Sequence, residues 1–234
     1  MNLKHLPLLG ILAAASAPSF AISVNVTDFS FVDPASVSII DSANPANDYN
    51  GFAGRFTGNL NDSSSASTSA SNSRSAFTSG SFTAYCAELT QSFNFNVLYD
   101  YGSTTGLAYF GAQKATDLSR LFSAYNGSVV DSSTSAAMQA AIWEIIYQQG
   151  VSYDLTAGNF EITASNPGAA AAFGAVNTVL KNLSSYGAYY DINVLTNAVQ
   201  QDFVVGSIPE PGTWALLACG LGLIGLMARR RKSA

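Results

Sequence analysis

The chain has 234 residues, 48% of them hydrophobic and only 11% charged, with a formal net charge of −5. Between residues 22 and 207, five basic residues face fourteen acidic ones, a balance of −9 that repels phosphate backbones and excludes nucleic acid as a partner. The one histidine, His5, falls in the leader, so the remaining chain has no Ser-His-Asp or Cys-His pair and lacks the commonest zinc ligand. No metal site and no cofactor motif is predicted.

In chain order, residues 1–21 predict a signal peptide: Lys4 and His5, an apolar run over 6–17, and Ser19-Phe20-Ala21 as a small-x-small cleavage site. Alternating β-branched and aromatic residues predict strands over 22–31, 37–41, 49–60 and 76–86. The stretch 61–75, NDSSSASTSASNSRS, has nothing to bury and reads as a flexible loop or hairpin tip. Apolar spacing then predicts an amphipathic helix over 105–125 and a stronger one over 135–149, capped by Ser133 or Ser135 and stopped by Gly150. A third helix, over 167–185, begins with Pro167 in its first turn. Residues 151–163 and 188–205 return to strand character. The expected class is α+β, a strand-rich domain over 22–207 with a helical block in its middle.

Residues 208–234 have a different organisation. Pro209-Glu210-Pro211 precedes an apolar stretch over 214–228, and Arg229-Arg230-Arg231-Lys232 closes the chain as a basic stop. Fifteen apolar residues are few for a permanent span, so a transient inner-membrane anchor formed by a single membrane helix is expected. This tail resembles the PEP-CTERM sorting signal of Gram-negative bacteria. The resemblance implies recognition by an exosortase-type enzyme, cleavage near the Pro-Glu-Pro motif, and delivery to the cell surface or extracellular matrix.

Cys219 lies in that apolar stretch, which leaves Cys86 without a disulfide partner in a compartment that permits disulfides. Tyr85-Cys86, together with Gln139-Ala140-Ala141-Ile142-Trp143, resembles the internal thioester domains of bacterial surface adhesins, whose glutamine lies in a TQXA-type motif. Here Met138 stands where that family often has threonine. The resemblance implies an antiparallel β-sandwich-like domain with inserted helices. It also implies a thioester between Cys86 and Gln139 that captures an amine-bearing surface protein or polysaccharide, for adhesion or crosslinking. Such a domain acts once per molecule and is not a turnover enzyme.

Within that reading Tyr85, Ala141, Ile142 and Trp143 support the site, and Trp143, four residues from Gln139, covers one side of the bond. With Ser135 as cap, Gln139 is expected in or just after the first helical turn, near the positive end of the dipole. In the absence of histidine, Glu88 and Glu144 are the acid–base candidates nearest in sequence. The competing expectation is a structural matrix or surface-layer component with an inert, buried Cys86, since free cysteine behaves as a small hydrophobe.

Overall fold

The computed structural model describes residues 22–61 and 80–208. The expected signal peptide, most of the serine-rich loop, the Pro-Glu-Pro motif, the apolar stretch with Cys219 and the basic stop all lie outside the described residues. Among the described residues no helix is long and apolar enough to cross a membrane.

Strand β1 (Ile22–Phe29) shows why the alternation was legible: Ile22, Val24 and Val26 are buried while Ser23, Asn25 and Thr27 are half-buried. Five further strands join it: β4 (Phe56–Asn61), β5 (Gly80–Cys86), β6 (Leu98–Thr105), β8 (Asp191–Thr196) and β9 (Phe203–Ser207). They close into an antiparallel barrel in the order β1-β4-β5-β9-β8-β6. A separate antiparallel sheet has β2 (Ala35–Asp41) between β3 (Tyr49–Ala53) and β7 (Phe160–Ala164). The expected sandwich is therefore a barrel plus a small sheet. Closure depends on β5 pairing with β9 through Tyr85–Val204 and Cys86–Phe203, which removes the edges that a sandwich leaves open.

Among the described residues four α-helices pack on this framework: α1 (Gly106–Phe110), α2 (Ala112–Tyr125), α3 (Ser132–Tyr147) and α4 (Ala170–Lys181). The single helix expected over 105–125 is broken at Gly111, whose φ of 81° is a left-handed conformation that ends α1 before α2 begins. Helix α3 differs from the one-faced helix expected, because residues 135–145 are buried on every side. It packs against β2, β3 and β7, against α2 and α4, and against the end of β5. A helix apolar all round belongs at the centre of a fold, and this one joins the small sheet to the barrel.

The start of α3 corrects the expected cap. Asp131, not Ser133 or Ser135, is the N-cap: its carboxylate accepts from the Thr134 amide at 2.8 Å, and Thr134 Oγ1 accepts from the Asp131 amide at 3.1 Å. Donation to its carboxylate from the Thr134 amide and then the Thr134 hydroxyl holds the Asp131 carboxyl below its ordinary pKa. Ser135 instead accepts from the Arg55 amide at 2.6 Å, fixing the turn between β3 and β4. Asp131→Ala is expected to lower stability by about 1 kcal/mol, read as a reduced urea midpoint with an unchanged slope.

Candidate functional site

The site forms where β5 outruns its neighbour. β4 begins at Phe56, paired with Ala84, so no β4 residue stands opposite Cys86. On the other edge the ladder continues, with the Ala87 amide donating to the Asp202 carbonyl at 2.8 Å. Alternation along an antiparallel strand then turns the main-chain N–H and C=O of Cys86 toward the side that β4 has left. Buried main-chain groups require partners, and Gln139 supplies both. Its Oε1 accepts from the Cys86 amide at 2.8 Å and its Nε2 donates to the Cys86 carbonyl at 2.9 Å. The side-chain amide takes the place of a missing strand residue.

Gln139 is 1% exposed. It is the eighth residue of α3, roughly two turns from the cap, whereas the dipole's influence falls off within the first turn. The expected benefit from the positive helix end is therefore absent. The local polarising group is the Cys86 N–H itself.

The Cys86 side chain lines a cleft of about 340 Å³. Phe29, Tyr49, Phe52, Phe56, Phe93 and Phe95 form much of its wall, with Trp143 beside Tyr49 in an edge-to-face contact, ring centroids 5.7 Å apart. Burial above all, and the Glu88 carboxylate next, push the Cys86 thiol well above its ordinary pKa, so it is protonated at neutral pH.

The other expected site residues divide. Trp143 lines the cleft. Glu88 lines it too, and burial first and Asp202 second raise its pKa. Tyr85 points to the opposite face of β5, where it packs on Phe122 with ring centroids 5.9 Å apart. Ala141 and Ile142 are fully buried core residues. Glu144 lies five residues beyond Gln139, about 140° around the helix. Its Oε1 accepts from the Asp154 amide at 2.9 Å, and it has no place in the cleft wall.

Two features were not anticipated from the sequence. Gln201, which donates through Nε2 to the Glu88 carbonyl at 2.9 Å, fixes the loop after Cys86 and lines the cleft. The aromatic wall is the other, and Phe93-Asn94-Phe95 is its readable trace: two phenylalanines in a loop that neither helix nor strand periodicity explains.

Residues 207–232 match the model of the PEP-CTERM protein-sorting motif. The chain is thus an exported protein sorted to the cell surface through membrane-associated processing, and its motif is the kind recognised by an exosortase. No curated protein and no solved structure matches the chain.

Proposed function

We propose that this surface-sorted domain closes an internal thioester between Cys86 and Gln139 and uses it to couple covalently to an amine-bearing surface protein or polysaccharide. The carrying observation is the pair of hydrogen bonds that hold the Gln139 carboxamide against the main chain of Cys86. The Cys86 sulfur attacks Cδ of Gln139, the thiol proton passes to the departing nitrogen, and ammonia leaves. The Cys86 N–H, already on Oε1, stabilises the oxyanion as the tetrahedral intermediate forms. A partner amine then attacks the same carbonyl, forming an amide with the Gln139 side chain and returning Cys86 as a thiol. Proximity supplied by folding replaces the missing histidine. The cut near Pro209-Glu210-Pro211 and the release of the transient anchor belong to the same proposal.

A second reading is favoured by one observation: both polar atoms of Gln139 are satisfied by main-chain groups, as in a purely structural link between α3 and β5. Here Cys86 stays an inert thiol in a matrix or surface-layer protein. Intact mass separates the two. A thioester makes the exported chain lighter than its sequence by one ammonia. Methylamine then brings it to one methylene above sequence mass, with the gain located at Gln139. A chain at full sequence mass that methylamine leaves unchanged supports the structural reading.

A further inference from the structure

The cleft beside Cys86 has walls and charge of a particular kind. Phe29, Tyr49, Phe56, Phe93, Phe95 and Trp143 line it, and among the described residues Glu88 is the only carboxyl side chain in its lining. Among the described residues no lysine or arginine lines it. The Asp202 carboxylate stands close enough to raise the pKa of Glu88, although it does not itself line the cleft. Asp202 is held in place by Tyr109, whose hydroxyl donates to Oδ2 at 2.6 Å, and by the Asn197 amide on Oδ1 at 2.7 Å. Aromatic faces attract cations electrostatically, and they do so more strongly when water is displaced. At about 340 Å³ the cleft lies toward the small end of ligand clefts, suited to one extended side chain rather than to a folded partner surface.

We propose that this cleft is a recognition site for an alkylammonium group of lysine-side-chain size, with the aromatic walls holding the methylene chain and Glu88 facing the charged end. The proposal names the partner class of the acyl transfer, and only its link to coupling rests on the thioester reading. Recognition itself is reversible and needs no bond to Cys86. A protonated amine held beside Cys86 gives its proton to solvent water before attack, so the cleft raises the local amine concentration without being the nucleophile's activator. Anionic and neutral compounds of the same length lack the attraction to Glu88.

The sequence supplies a reporter. Its two tryptophans are Trp143, in the cleft wall, and Trp214, in the C-terminal apolar stretch. The full chain carrying Cys86→Ala and Trp214→Phe, in nonionic detergent and excited at the red edge of tryptophan absorption, leaves Trp143 as the sole tryptophan and removes the thioester chemistry. Titration with n-pentylammonium is expected to give a saturable change in Trp143 emission. About tenfold weaker binding is expected for 1-pentanol and no response to pentanoate. Adding Glu88→Gln is expected to bring pentylammonium down to the level of the alcohol. Equal binding of the ammonium and the alcohol overturns the proposal, as does the absence of any saturable change. A preference for neutral sugars over the ammonium also overturns it and reassigns the walls to carbohydrate stacking. Because Cys86 is absent throughout, this result stands or falls separately from the mass measurement that tests the thioester.

Discussion

Replacing Gln139 with alanine is expected to lower the stability of the domain by about 2–5 kcal/mol. The substitution does more than remove a side chain. It leaves the Cys86 N–H and C=O without partners in a buried position, because β4 has ended and no strand residue replaces the amide. Each orphaned main-chain group costs about 1–3 kcal/mol. Gln139→Glu sharpens the comparison. A carboxylate keeps the size and still accepts from the Cys86 amide, but its second oxygen faces the Cys86 carbonyl, acceptor against acceptor. With the Cys86→Ala chain as parent, where the amide persists, urea unfolding is therefore expected to place both variants well below it, even though glutamate fills the space. A Gln139→Glu variant as stable as the parent would show that the Nε2 donation contributes little.

The second large effect comes from Glu144, the carboxyl that the sequence offered as an acid–base candidate and the structure places elsewhere. Glu144 is fully buried, and one of its oxygens has no partner. Burial is the main cause that raises its pKa to about 7, against 4.5 for the unperturbed group. The folded state thus holds a proton that the unfolded state has released between these two values. Stability is greatest below the lower value and declines as pH rises through the upper one, by about 3 kcal/mol in all. Glu88 contributes in the same direction. Asp154 acts oppositely but at lower pH, since Lys181 at 2.8 Å, Asn177 and Thr156 outweigh its burial and hold its carboxyl far below the usual range. Glu144→Gln is expected to raise stability at pH 8 and to flatten the profile between pH 5 and 8, as measured by denaturant unfolding at each pH. An unchanged slope in the variant would assign the pH dependence to other groups.

Local order was largely readable in the sequence, and long-range pairing was not. The alternation of Ile22, Val24 and Val26 marks a half-buried strand because neighbouring side chains fall on opposite faces. Strand β6 was not visible, since LYDYGSTT buries only Tyr101 and mixes glycine and aspartate into an exposed run. The cap of α3 was misplaced because four serine or threonine residues crowd 132–135, while the deciding hydrogen bonds belong to Asp131 and Thr134. That shift moved Gln139 from the helix start to its middle. The pairing of β5 with β9 spans more than a hundred residues and leaves no local signature, so nothing in the sequence corrected the sandwich that the resemblance to thioester domains implied. The contact between Cys86 and Gln139 was anticipated only through resemblance to thioester domains. Its physical reason, a strand that runs past its partner, appears only when β4 and β5 are aligned.

The exported chain's intact mass, measured before and after methylamine and repeated on Cys86→Ala, tests the account most directly. The thioester predicts a mass one ammonia below the sequence, a gain on methylamine that maps to Gln139, and neither change in Cys86→Ala. A parent chain at full sequence mass, unreactive to methylamine and identical in behaviour to Cys86→Ala, would contradict it.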